Sequence, residues 1–548
     1  MLIPISACVG LAALSLLLPS EPSYDPWAWL VWGREIVHLE LDTEGGPSWK
    51  PLPVALLAVV APLGGDLPVA LWVVIARAGA LLAMVLAYRL TARLTGGPAP
   101  LRAVAGATAA VFLFLTPDWF QLAAHASEAP LAVALMLWAV ERHLDGRRGH
   151  ALALGALVCL LRPELFPFLA AYVLWLAWIE PGRRRVVAAL LLAIPLAWVV
   201  PEWIGSGDPL DGGSQARSEP YWSLSHAERP WLRALERVHN HAGLAVELLA
   251  AAAVVAAVAF RRRAAHAPAL GRRATHAQAV LALAAAAALE ATLFVGMTQA
   301  GFSGNPRYVL PALAVLCVLA GVGAARTAQA AEGAGRAAIR RLSHPGVPYE
   351  HQSATVEGCG ARPRVSEGHS GAVRPQRGAA LPRLAGLSGA AAGIAVAALL
   401  ATPLIEGRVG RLEFEAREVG RRMELQRDLA RAVDAAGGPE ALRALGSATT
   451  NRALHSRLAW ELGYPIQDVE RGYGHRVVLR TPDETLAGNV LVWGKAERRQ
   501  VLARAGSFDV YRRIGISYRL IGVSHRLFTS PLQGFDIRLP VGGKVGTG

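Results

Sequence analysis

The stretch PVALWVVIARAGALLAMVLAYRL, residues 68–90, holds one charged side chain, Arg77, before Arg89 at its end. It meets the ~20 apolar residues that a helix needs to cross a bilayer. Outward from it the same pattern repeats. Further apolar spans are predicted at 2–19, 101–116, 126–141, 151–161, 165–179, 187–204, 243–260, 277–299, 308–326 and 383–404. The expected fold is therefore a polytopic α-helical membrane protein with about 11 transmembrane helices. Residues 52–63 are apolar but short, as in a re-entrant or interfacial segment. The first span has no basic n-region and no small-residue cleavage site before Glu21, so an uncleaved anchor is the better reading than a removed signal peptide.

Composition agrees. The chain is 53% hydrophobic yet carries 55 Lys and Arg, and these are segregated between apolar blocks instead of spread through amphipathic elements. Lys occurs only at Lys50, Lys495 and Lys544, a bias that points to a GC-rich bacterial genome. The net charge of +14 is assigned to Arg flanking the spans and contacting lipid headgroups, with no nucleic-acid partner. Metal spacing of Cys and His, a P-loop and a glycine-rich dinucleotide turn are all absent from the sequence. Cys8, Cys159, Cys317 and Cys359 all precede residue 405, so no disulfide framework is expected beyond it.

Arg clusters set the expected orientation. Arg89/Arg93/Arg102, Arg142/Arg147/Arg148, Arg183/Arg184/Arg185 and Arg261/Arg262/Arg263/Arg272/Arg273 alternate with Arg-poor connections. By the positive-inside rule they are cytoplasmic. The N-terminus is then inside, in the plasma membrane, and 405–548 outside. Four parts follow: a catalytic transmembrane module at 1–326, a disordered basic cytoplasmic loop at 327–382, a last helix at 383–404, and a small extracytoplasmic α/β domain at 405–548. In that domain a charged helix is expected at about 408–436. A second helix is expected between Asn451 as N-cap and Gly463, and strands at 476–480, 489–493 and 508–514.

Four short motifs fall on the predicted outer face: Tyr24-Asp25-Pro26, Ser48-Trp49-Lys50-Pro51-Leu52, Leu161-Arg162-Pro163-Glu164 and Asn305-Pro306-Arg307-Tyr308. Charges at helix ends cost far less than at the centre, yet those kept near a bilayer commonly serve function. Asp25 reads as a general base beside apolar rings, or as an interfacial loop acid in an aromatic belt with Trp27, Trp29 and Trp32. Lys50 reads as a phosphate contact or a snorkelling cation. Arg162 sits in a proline-interrupted helix pair, and such breaks line cavities. Arg307-Tyr308 opens a helix, where capping is the plainer role. Inside the spans, Arg77 and Glu290 lie at an equal depth of ~13 Å, which makes them candidate structural partners.

These motifs resemble the GT-C superfamily of polytopic glycosyltransferases, above all its branch of aminoarabinose transferases and protein O-mannosyltransferases. Asp25 occupies the place of the catalytic acid in the first outer loop. Lys50-Pro51-Leu52-Pro53 is similar to a Lys-Pro-Pro-Leu signature, and Glu128-Ala129-Pro130-Leu131 to an acid–x–Pro–Leu element. Arg162-Pro163-Glu164 and Arg307-Tyr308-Val309-Leu310-Pro311 match further short patterns, over roughly residues 1–330. One departure is that Asp25 is followed by Pro26 and Trp27, where relatives often have paired acids. A divalent cation is left open.

The resemblance implies an enzyme that moves a hexosyl or pentosyl sugar from a polyprenyl-phosphate donor to a cell-envelope glycan or protein at the outer face. It implies Asp25 as base, with Glu128 the next candidate, and Lys50, Arg162, Arg307 and Tyr308 around the lipid phosphate. Glu164 and Glu128 would orient those cations or the acceptor. A membrane transporter or lipid flippase accounts for the spans and broken helices equally well. Against it stand the lack of an inverted repeat and the gathering of charge at one face. A membrane scaffold would explain the terminal domain but not the motifs.

Overall fold

Proline in the first turn and glycine or a polar residue beyond the last convert the apolar runs into helices. The computed structural model describes residues 1–18, 20–217, 223–264, 271–343, 381–470, 477–480, 491–493, 499–513 and 520–523. In chain order the helices are α1 (Leu2–Leu14), α2 (Tyr24–His38), α3 (Pro51–Val60), α4 (Leu67–Leu94), α5 (Ala99–Phe114), α6 (Trp119–Ala124), α7 (Ala129–Leu144) and α8 (Arg148–Cys159). They continue as α9 (Phe166–Ile179), α10 (Arg184–Ser206), α11 (Asp211–Gln215), α12 (Pro230–Ala242), α13 (Leu244–Ala264), α14 (Gly271–Gln299), α15 (Leu310–Ser343) and α16 (Leu381–Ala435). The chain divides into two compact units, Met1–Met423 and Glu424–Gly548, with the boundary inside α16.

Among the described residues, five helical stretches have the length and apolarity to cross a bilayer: Leu67–Leu94, Pro181–Ser206, Leu244–Arg262, Thr275–Gln299 and Leu310–Ala337. Leu2–Leu17, Pro51–Leu63, Ala99–Phe114, Arg148–Cys159 and Pro163–Ile179 are apolar but shorter. The chain is a polytopic helical membrane protein, and among the described residues these five match expected spans with helices long enough to cross alone. At the centre α15 packs against α13, α5 and α4. Glycine permits the close approach: a Cβ on Gly323 would lie 1.8 Å from the Leu249 carbonyl oxygen, and one on Gly321 2.5 Å from that of Ala105.

Three expectations are corrected. The Trp-rich loop is the helix α2, and Trp27, Trp29 and Trp32 are buried in the protein instead of lying in an interfacial belt. Residues 327–343, expected to be disordered, continue α15, since their Ala-rich sequence favours helix. The remainder of that loop, 344–380, lies outside the described residues. The last span and the charged helix after it are one continuous element, α16, which runs through Pro403 without ending.

The second unit contains α17 (Gly438–Leu445), α18 (His455–Leu462) and α19 (Ile466–Glu470). Its strands are β1 (Ala448–Thr449), β2 (Val477–Arg480), β3 (Leu491–Trp493), β4 (Arg499–Ala505), β5 (Phe508–Arg513) and β6 (Leu520–Val523). The larger sheet has the order β1-β2-β5-β4, with β1 and β2 parallel and the other pairs antiparallel; β3 pairs with β6. The strands expected at 476–480, 489–493 and 508–514 coincide with β2, β3 and β5, while residues 476, 489, 490 and 514 lie outside the described residues. Asn451 precedes a 3-10 turn at Arg452–Leu454 and makes no side-chain cap.

Candidate active site

Each motif residue is delivered by a helix end. Asp25 lies in the first turn of α2, where the positive end of the helix favours a carboxylate. Lys50 is the extended residue that starts α3, and Glu128 is the residue preceding α7. Arg162 and Glu164 occupy the break between α8 and α9, where Pro163 opens a 3-10 turn. Arg307 and Tyr308 close a second 3-10 turn, whose backbone is set by Asn305: its Oδ1 accepts the Arg307 N–H at 3.1 Å.

These ends meet. Asp25 is ion-paired with Arg307, and Lys50 with Glu128. Arg162 Nη1 reaches the same Glu128 Oε1 at 3.1 Å, and its Nε lies 2.8 Å from Glu164 Oε1. Arg162 also donates through Nη2 to the Arg307 carbonyl oxygen. The Tyr308 ring packs against both guanidiniums, with centroids 4.8 Å from Arg162 and 5.6 Å from Arg307. Lys50 Nζ lies 5.7 Å from the Trp29 ring centroid. Glu128 is fully buried, and its second oxygen accepts from Ser127 Oγ at 3.1 Å. Three cations thus face three carboxylates in a continuous chain. Burial pushes the Lys50 ammonium below its usual range, opposed by Glu128.

A cavity of about 330 Å³ opens beside this chain, lined among others by Asp25, Glu128, Arg307, Asp118, His125 and Arg422. Burial holds His125 near 4, so it is neutral at pH 7, with Nδ1 3.1 Å from the Glu21 carbonyl oxygen. Asp118 was not singled out from the sequence. It has a left-handed backbone (φ 66°) and lies 3.1 Å from His241 Nε2; its N–H donates to Glu415 Oε1 at 3.0 Å. Burial opposes the charge on Asp118, yet the His241 hydrogen bond wins and holds its carboxyl below the ordinary range. Among the described residues no three His, Cys, Asp or Glu side chains gather at metal-ligand spacing.

The Arg77–Glu290 pair does not form. Arg77 donates to Ser15 O at 3.1 Å, to Ser15 Oγ and Ser20 Oγ at 2.9 Å, and to Ala124 O at 3.0 Å. Glu290 is buried, and its Oε1 has no hydrogen-bond partner among the described residues. Equal depth does not fix which way two helices face. Glu290 instead lines a separate apolar cavity of about 700 Å³ among α7, α8, α9 and α14.

No protein-family model matches the chain, and neither does any curated protein. Two solved structures are similar to it. They are crystal structures of ArnT from Cupriavidus metallidurans, one in the apo state (TM-score 0.47, 15% identity) and one bound to undecaprenyl phosphate (TM-score 0.45, 16% identity). Each likeness covers 93% of this chain and 97% of the other. At such identity the chemistry has to be read from this chain's own side chains.

Proposed function

We propose that this chain is a membrane glycosyltransferase that moves a sugar from a polyprenyl-phosphate-linked donor to an acceptor at the outer face of the plasma membrane. One observation carries the reading: Lys50, Arg162 and Arg307 converge with Asp25 and Glu128 beside one cavity. The leaving group is a lipid phosphate, a stable anion, so the site needs a base for the acceptor hydroxyl and fixed positive charge at the phosphate. Arg307, Lys50 and Arg162 supply the charge, and Tyr308 fixes the two guanidiniums. Glu164 and Glu128 orient the cations.

Charge balance suggests an order of events. With three cations matched by three carboxylates, an arriving phosphate competes with Asp25 for Arg307. The displaced Asp25 carboxylate is then free to accept the acceptor's proton. The acceptor oxygen bonds to the anomeric carbon as the bond from that carbon to the phosphate oxygen breaks, and polyprenyl phosphate leaves. In this reading the N-terminus is cytoplasmic and residues 405–548 are extracytoplasmic. The test is whether the purified chain, given a polyprenyl-phosphate-linked sugar and acceptor, releases polyprenyl phosphate. Translocation of the intact lipid across vesicles without release would favour a flippase instead.

A further inference from the structure

The segment that delivers Lys50 is clamped by the far end of α10, a helix with no residue lining the cavity beside Asp25. Pro201 lies inside α10. Proline has no N–H, so the carbonyl of Ala197, four residues earlier, loses its helical donor. The Trp49 indole Nε1 donates to that carbonyl at 3.1 Å. The next residue, Glu202, is buried at 4% exposure, and its Oε1 accepts the Trp49 backbone N–H at 3.0 Å. Ser48 Oγ donates to the Gly212 carbonyl in α11 at 2.8 Å. A Cβ on Gly212 would stand 2.3 Å from Glu202 Oε1 and push that carboxylate aside. Beyond Lys50, the Leu52 N–H bonds to the Leu160 carbonyl at 3.2 Å. The backbone on both sides of Lys50 is therefore pinned, and its extended conformation (φ −139°, ψ 109°) sends the ammonium to Glu128.

We propose that Glu202 is a positioning residue for Lys50, acting through Trp49 together with the carbonyl that Pro201 frees. It contacts no reacting atom; it sets where the ammonium meets the lipid phosphate. The inference rests on the function proposed above. A displacement of about 1 Å in such a group is enough to cost ~100-fold in rate, so a buried carboxylate on the backbone of Trp49 is a specific way to prevent it.

The experiment measures undecaprenyl phosphate affinity for the purified full chain in detergent. Lys50→Ala is expected to weaken binding on the order of ten- to a hundredfold, the scale of one charged contact. Glu202→Ala should weaken it in the same direction, and the double variant should bind no more weakly than Lys50→Ala alone. Glu202→Gln keeps an acceptor oxygen for the Trp49 N–H and should restore near wild-type affinity. Pro201→Ala returns a helical N–H to the Ala197 carbonyl and should weaken binding by displacing the indole. If Glu202→Ala does not fold, Pro201→Ala and Trp49→Phe, which removes the indole donor along with part of the ring, decide the matter by the same comparison with Lys50→Ala. Losses that add to that of Lys50→Ala, or no loss at all, would overturn the positioning role. Unchanged affinity in Lys50→Ala would instead bring down the proposed function itself.

Discussion

Lys50 sits in a buried site paired with Glu128, which has no exposure of its own. Breaking a buried pair on one side leaves an uncompensated charge and costs about 3–5 kcal/mol. Glu128→Ala is expected to destabilise on that scale, while Lys50→Ala combined with Glu128→Ala should lose less than the sum. Equilibrium unfolding in detergent micelles measures this, and strict additivity would contradict the pairing. At this scale much of the site was legible. Lys50 stood out as the one Lys before residue 495, and Asp25, Arg162 and Arg307 each sat in a short motif with proline beside or within it. Asp118 and Glu202 were not legible. Asp118 acquires its setting from residues 123 and 297 positions away, and Glu202 lies in an apolar run whose partner is 153 positions distant. No local pattern carries contacts of that separation.

The break at Arg162-Pro163-Glu164 was readable because proline marks it, and the structure places a 3-10 turn there between α8 and α9. Helix α2 was missed although Asp25 and Pro26 are ordinary first-turn residues, since three Trp in a row of turns suggested a membrane interface. Facing was less legible than existence. Arg77 found its polar partners in Ser15, Ser20 and Ala124 and not in Glu290, so Arg77→Ala and Glu290→Ala should destabilise independently, additive within about 0.5 kcal/mol. A coupling well above that in a double-mutant cycle would restore the pair. Helix α2 also contributes a pH dependence. Burial raises the Glu35 carboxyl from 4.5 to about 8, partly offset by the Asp42 N–H at 3.1 Å. The folded state therefore holds a proton that the unfolded state has released between those values. The stability from protonated Glu35 is full below 4.5 and is lost as pH rises through 8. Glu35→Gln should flatten that fall in thermal unfolding followed from pH 5 to 9; an unchanged slope would show that Glu35 is ionised throughout.

Across the whole molecule, alternation of apolar blocks and Arg clusters conveyed the class, while the number of full crossings did not follow, because short helices such as α8 and α9 are apolar without being long. The proposed orientation predicts that a reporter fused after Gly548 is active outside the membrane and one inserted near Glu350 only in the cytoplasm. Both on one side would undo it. The central claim, that Asp25 is the base of a lipid-phosphate sugar transferase, is tested most directly by Asp25→Asn. Asparagine keeps the shape and an acceptor for Arg307 but takes up no proton from the attacking hydroxyl. Undecaprenyl phosphate affinity is to be measured beside single-turnover release of polyprenyl phosphate from a lipid-linked sugar. The account predicts affinity equal to or above the wild type, since phosphate no longer competes with a carboxylate for Arg307, together with loss of release by about 100-fold or more. Release at the wild-type rate would contradict it and leave Asp25 as only the ion-pair partner of Arg307.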